Sequence, residues 1–287
     1  MLRALFKHFM QASITVTGLF YYPIKSCKGI ELQSAELDEC GIKGDRSLMI
    51  VTPEGRFLTQ RDIPAMARIQ PDLNLATQTL CLSAPTMETL TITISDKGTP
   101  ENRIKTAVWG TDCDAVVQDS EANEWLSSFL KQECRLVTME QGFKRIVDQE
   151  YATSPTDHTG FADGYNILLA SEESLEALNN RLFDRGSGPV PMNRFRPNIV
   201  VKGTEAFGED TWSDFSINSV AMRGVKPCGR CIVTTIDQDN GTRTGKEPVA
   251  TLNTFRKSAD GHKILFGQNV INREQGIINV GDAVILA

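Results

Sequence analysis

Along the first half of the chain, apolar residues recur with period two more often than with the period of a helix. SITVTGLFYYPIKS alternates Ile14 and Val16, then Phe20 and Tyr22, before Pro23 ends the ladder. RSLMIVT, a PEG turn at Pro53–Gly55 and RFLTQRD predict a hairpin. TLTITIS and KTAVWG predict further strands, and the second half resumes them at PNIVVKG, FSINSVAMRGV, CIVTTID and INVGDAVILA. Two stretches change to helical spacing. Ser120 is placed to cap a helix carrying Trp125, Leu126, Phe129 and Leu130 on one face, and Ser171 another with Leu175, Leu178 and Leu182. Many short strands, frequent turn signals and few helices predict a mainly β (α+β) fold of barrels or sandwiches, not a doubly wound sheet. The polar stretch FKRIVDQEYATSPTDHTGFADGYN divides the chain into expected domains 14–140 and 141–287. No internal repeat or low-complexity segment occurs.

Composition narrows the function classes. With 40% hydrophobic and 23% charged residues, the 287-residue chain has the balance of a soluble globular protein. A net charge of −6 argues against a binder of nucleic-acid polymers, whose footprint is basic. No apolar run approaches the roughly 20 residues of a membrane span, so no integral membrane segment is expected. MLRALFKHFMQAS reads as an N-terminal extension with Leu2, Leu5, Phe6 and Phe9 on one helical face. Seven scattered cysteines lack a disulfide framework and point to free thiols in a reducing, cytoplasmic setting.

Several motifs resemble known sites and fail on detail. GTRTGKE has three residues between its glycines and Glu247 after the lysine, unlike a phosphate loop. DQDNG would place Pro248 at the twelfth position of a calcium loop, and an Asp-Asn-Gly turn explains it better. Three histidines supply histidine triads and zinc catalysis poorly. KPCGRC stands apart, because its Cys228 and Cys231 have no partner pair for a closed zinc site. A thioredoxin-like pair should open a helix, whereas the β-branched IVTTI that follows predicts a strand. The remaining readings are zinc with scattered ligands, two small packed residues, or one thiolate on a soft or redox metal. Lys226, Pro227, Gly229 and Arg230 favour a loop that stabilises a thiolate. Basic and small polar residues also stand at other strand ends: Lys25, Ser26 and Lys28, then Arg46, then Arg194, Arg196 and Asn198. Converging, they would suit an anionic, phosphate-bearing ligand.

YYPIKSCKG, GDR, NRFRPNIVV, CGRCIVTTID, KEP, FGQN and the terminal VGDAV, in this order, resemble the MOSC proteins. Within them the similarity is to the branch that holds the mitochondrial amidoxime-reducing component and its bacterial relatives. The resemblance runs from about Val16 to the C-terminus. It implies an N-terminal MOSC-type β-barrel domain packed on a C-terminal MOSC β-barrel, with molybdenum cofactor (molybdopterin) between them. It implies Cys231 as the molybdenum ligand, with Lys25, Ser26, Arg46, Arg196, Asn198, Cys228, Gly229 and Asn269 at or near the cofactor. The segment ADGY adds Asp163, Gly164 and Tyr165 to the pocket, Asp163 and Tyr165 being candidate proton donors.

The implied activity is a molybdenum-dependent reduction of N-hydroxylated compounds: amidoximes, hydroxylamines and N-hydroxylated base analogues. Without a fused ferredoxin-like domain after the last strand, electrons are expected from a separate donor of ferredoxin, flavin or cytochrome b5 type. The alternative reading is a MOSC-type carrier or binding protein that handles sulfur or molybdenum cofactor through Cys231.

Overall fold

The computed structural model describes residues 13–287. The N-terminal extension read from the sequence lies, apart from Ser13, outside the described residues. Eight strands form the largest sheet, in the order Ile30–Leu32, Thr15–Tyr21, Ile199–Lys202, Ile167–Ser171, Ile264–Asn272, Val220–Arg230, Asp214–Ile217 and Val284–Leu286. Ile167–Ser171 and Ile199–Lys202 run parallel, and the helix Glu172–Asp184 crosses between them. The other pairings in this sheet are antiparallel.

The last strand of the sheet closes on the start of Thr15–Tyr21, the second. Val16 N–H donates to the Asp282 carbonyl at 2.9 Å, and Val284 N–H to the Ile14 carbonyl at 2.8 Å. These bonds close the sheet around Leu19, Ile167, Leu169, Ile199, Val201, Phe215, Ile217, Met222 and Val270. Closure removes the free edges that would recruit another chain. The strand Ser34–Asp38 also pairs with Gly276–Asn279. Strands from the first forty residues are thus shared with strands of the second half, across any cut near residue 140.

The remainder of the first half forms a four-stranded sheet, Leu48–Val51, Arg135–Met139, Thr111–Val117 and Arg103–Val108, and a three-stranded one, Gln70–Asn74, Thr79–Ser83 and Leu90–Thr93. Period-two alternation is visible in Thr79–Ser83, where Leu80 and Leu82 are fully buried. The helix Ser120–Leu130 lays Ala122, Trp125, Leu126 and Leu130 on this core, with Phe129 at its margin. No helix among the described residues is long and apolar enough to cross a membrane.

Local chemistry moved four expectations. Ser120 is the first helical residue; the cap is Asp119, whose carboxylate accepts the Glu121 N–H at 2.8 Å. Ser171 caps its helix as expected, accepting the Ser174 N–H. The Pro53–Gly55 hairpin forms, with Gly55 at φ +87° and the Thr52 and Leu58 N–H groups bonded to the Arg56 and Ile50 carbonyls at 2.8 Å, but its second arm is no regular strand and makes isolated bridges from Phe57 to Val51 and from Arg56 to Ala107. Leu48–Val51 also pairs with Arg135–Met139. KTAVWG ends as a strand at Val108, and Trp109–Gly110 makes the turn to Thr111.

CIVTTID is a strand only at its end, where Ile236–Asp237 pairs with Thr242–Arg243; Ile232–Thr235 is a single 3-10 turn with Cys231 at its N-cap. The hydroxyls of Thr234 and Thr235 donate to the carbonyls three residues back, at 3.0 and 2.7 Å. Short local bonds of this kind offset the β-branched preference for extended backbone. The extended backbone lies before the cysteines, in Val220–Arg230, which is bulged after Gly224 and again after Pro227. A Cβ on Gly224 would stand 2.1 Å from the Trp212 carbonyl oxygen. Gly224→Ala is therefore expected to destabilise the protein by about 1–3 kcal/mol through overpacking. Urea unfolding measures this, and an unchanged midpoint would show that the strand absorbs the methyl without strain.

Candidate functional site

The two bulges turn the end of the long strand so that Cys228, Gly229 and Cys231 reach one cleft. Bulges bend a strand and re-aim its side chains, a common arrangement beside active sites. Lys25, Ser26, Arg46, Asp163, Gly164, Tyr165, Arg196 and Asn269 line the same cleft. Lys28 and Arg194, also singled out in the sequence, do not line it; Arg194 is buried and bonds Thr244 and Asp237. Asn198 stands behind the wall. It is buried, its side-chain oxygen accepts from Arg46 at 3.0 Å and from the Leu168 N–H at 3.1 Å, and its amide donates to the Phe20 carbonyl at 3.1 Å. Asn198 positions Arg46.

Arg46 and Arg196 come from opposite halves and pack against one ring. Their guanidinium carbons lie 4.1 and 4.2 Å from the centroid of buried Tyr22. Both residues, and Ser26, have left-handed backbone, with φ of +45°, +54° and +66°. Such backbone is uncommon away from glycine and persists where surroundings over-determine it. Buried Asp45 bonds Arg46 at 2.5 Å and the Tyr22 N–H at 2.7 Å. Burial raises the Asp45 carboxyl above its ordinary range, against the pull of Arg46. Burial also lowers the Arg196 guanidinium to about 10, which leaves it charged at neutral pH.

Buried Lys25 reaches the Phe161 carbonyl at 2.8 Å and Asp163 at 2.5 Å. Burial lowers its ammonium below the usual lysine range, while Asp163 holds the proton on. The Asp163 side chain is 66% exposed, and Lys25, the Trp109 N–H at 3.0 Å and Arg61 together hold its carboxyl well below the ordinary value. The Tyr165 hydroxyl is sealed from solvent without a partner, and burial raises its phenol. Asn269 donates to the Lys226 carbonyl at 3.1 Å, tying the bulged strand to its neighbour.

Two lining residues, Arg61 and Trp109, were not singled out in the sequence, and Arg230 was read there only as part of the basic loop around the cysteines. Arg61 lies 4.3 Å over the Trp109 ring and donates to the Cys231 sulfur at 3.2 Å. Arg230 donates to the Cys228 sulfur at 3.2 Å and to the Phe195 carbonyl at 2.6 Å, and its Nε is buried without a partner. Arg61 was hidden in RFLTQRD, read there as a strand arm. The available signal was the polar QRD that follows its apolar positions. Trp109 could have been noticed as a bulky residue at a turn position that favours Asn.

Lys25, Arg46, Arg61, Arg196 and Arg230 thus face one carboxylate, Asp163, in a chain whose net charge is −6. The cleft favours an anion. Among the described residues no group of three or more His, Cys, Asp or Glu could hold a metal ion. A metal held by Cys231 would have to bring its other donors on a ligand of its own.

Comparison with known proteins agrees with this architecture. Residues 13–133 match the MOSC N-terminal beta barrel domain, and residues 156–285 the MOSC domain. Mitochondrial amidoxime-reducing component 1 of Xenopus laevis is 36% identical over 285 residues, covering 94% of this chain and 81% of the relative. The human component 1 is 34% identical over 294 residues, with 98% and 85% covered. The human component 2 is 32% identical over 286 residues, with 94% and 82% covered. Two matched domains in order, and these identities over nearly the full length, show that the chain belongs to the MOSC proteins, in the branch of the amidoxime-reducing components.

Proposed function

We propose that the protein is a molybdenum-cofactor-dependent reductase of N-hydroxylated compounds. The observation that carries this reading is the convergence of the Cys231 thiol and five cationic side chains on one cleft. The donor set fits the cofactor. A pterin dithiolene brings sulfur ligands and a phosphate, so the protein need supply only one thiolate and positive charge. Cys231 would ligate the metal, and Arg46, Arg196 and Lys25 would offset the anionic group, with Ser26, Gly229 and Asn269 shaping the wall. When bound, the cofactor supplies the two-electron chemistry that reduces an N–OH group to N–H with release of water. The relatives named amidoxime-reducing components support this class of reaction for the chain.

The chain's own residues prepare that chemistry. Arg61 donates a hydrogen bond to the Cys231 sulfur and so fixes its position in the cleft. Arg230 does the same for Cys228, which lies beside the ligand position. Asp163 is already engaged as an acceptor by Lys25 and Trp109, which makes it an anchor of the cleft wall and a poor proton donor. The Tyr165 hydroxyl, enclosed without a partner and raised by burial, retains its proton. Electrons would arrive from a separate one-electron carrier of ferredoxin, flavin or cytochrome b5 type. All seven cysteines are unpaired, which supports a reducing, cytoplasmic setting.

Cys231→Ser, made in a host able to synthesise molybdopterin, is expected to lose bound molybdenum and amidoxime turnover together, while Cys228→Ser keeps the metal. Elemental analysis beside an assay with an artificial donor measures both. Full molybdenum and turnover in Cys231→Ser would overturn the ligand assignment, and wild-type protein carrying releasable sulfane sulfur without molybdenum would mark a carrier instead. The second expectation concerns pH. The folded-state carboxyl of Asp163 is depressed, so its stabilising contribution is present above its unfolded value of about 4 and is lost as pH falls toward the folded one. Asp163→Asn is therefore expected to melt below wild type at pH 7, and the two melting temperatures should converge below about pH 4. A gap that persists undiminished at pH 3 would assign the loss to something other than the Lys25–Asp163 pair.

A further inference from the structure

We infer that Trp109 is the specificity-determining wall of the cleft, against which the planar, uncharged group of an N-hydroxylated substrate packs. This rests on the proposed reductase reading and names the kind of substrate that the site selects.

Trp109 and Gly110 are the two central residues of the turn between Arg103–Val108 and Thr111–Val117. Both have positive φ, +52° and +85°. A two-residue turn of this kind favours Asn-Gly or Asp-Gly, because a large side chain adopts the left-handed region reluctantly. The fold therefore gains nothing locally from an indole here. It gains little from burial either: Trp125 and Trp212 sit in cores at 9% and 6% exposure, whereas Trp109 is 51% exposed.

The cleft side explains the residue better. Trp109 lines the cleft and also the shallow depression beyond it, so it forms the rim between them. Its ring is held from three directions: Arg61 stacks at 4.3 Å, Phe57 meets it edge-on at 5.1 Å, and Asp163 accepts its N–H at 3.0 Å. An exposed aromatic fixed in this way is pre-organised, so a bound ring would lose affinity to no rearrangement of the wall. Only one side chain separates it from the thiol, since Arg61 both stacks on the indole and bonds Cys231.

Charge narrows the ligand further. Arg61 stacks on the indole and Lys25 shares the Asp163 carboxylate with it, so the one carboxylate nearby is already paired. A cation is repelled there, whereas an amidoxime conjugated to a ring is flat and neutral. Its reduction, R–C(NH2)=N–OH with two electrons and two protons, breaks the N–O bond and yields R–C(NH2)=NH and water, the separate one-electron donor delivering the electrons singly. The amidine then takes up a proton from solvent. The resulting cation is repelled by the same Arg61 that tolerated the substrate, which favours release.

The test compares benzamidoxime with hydroxylamine, which has the N–OH group and no ring, on the molybdenum-loaded enzyme. Trp109→Asn is expected to raise KM for benzamidoxime about fivefold to tenfold, the value of an aromatic contact. Its KM for hydroxylamine and its molybdenum content should stay as in wild type, and Trp109→Phe should recover most of the loss. The melting temperature of Trp109→Asn is expected to equal or exceed that of wild type, since Asn suits the turn. Equal losses on both substrates with a lowered melting temperature would make Trp109 a structural residue, and unchanged kinetics on both would leave it no role; either overturns the inference. If wild type reduces neither compound, the reductase reading fails by itself. Saturable quenching of tryptophan fluorescence by benzamidoxime, lost in Trp109→Asn, then still supports the wall, and absence of quenching in wild type overturns it.

Discussion

Two guanidinium groups packed against one buried phenol ring set the terms for the rest of this structure. Arg46 and Arg196 would repel one another in any open arrangement, and here each lies about 4 Å from Tyr22. Buried Asp45 and Asn198 share the load, and both arginines accept left-handed backbone to be there. Like charge gathered in a low-dielectric place is costly unless paired. One carboxylate against two guanidinium groups leaves an excess that an anionic ligand would neutralise. The cleft is accordingly built for a partner that completes it.

That concentration of charge depends on the closed sheet. Thr15–Tyr21 pairs with Ile199–Lys202, and its start is bonded to the Asp282–Val284 segment, so the first described strand and the last are stitched together. Tyr22 to Arg46 follow from that first strand, and Arg196 precedes its partner by three residues. A second cross-link lies deeper. The side-chain amides of Gln60 and Gln238 bond each other reciprocally at 3.1 and 2.9 Å, and Gln60 also donates to the Ser26 carbonyl. Two buried amides satisfied by one another are directional in a way apolar packing is not, and leaving either unpaired costs about 1–3 kcal/mol. They hold the Ser26 and Arg61 segments against the turn that follows Cys231.

The apolar and polar patterning determined much of this. Alternation marked most of the strands, the Ser171 cap and both helical faces were legible, and the mainly β class followed from many short strands with few helices. The motif order carried the family resemblance, and that resemblance implied Cys231, Lys25, Arg46 and Arg196. Local signals failed where a side-chain bond competed with propensity. Asp119 displaced Ser120 as a cap, and the threonine hydroxyls after Cys231 made a 3-10 turn of a sequence that favours a strand.

Only the tertiary structure decided which residues meet. Nothing in the spacing of Arg61, Trp109, Asp163 and Cys231, strung over 170 positions, brings them to one place. Their contacts exist because the barrel closes, the long strand bulges twice, and a tight turn holds an indole outward. Period-two patterning reports which face of a strand is buried and is silent on which strand lies beside it. Pairing of distant strands is set by the packing of the whole core, and so the chemistry of the cleft belongs to the fold and not to any one segment of the chain.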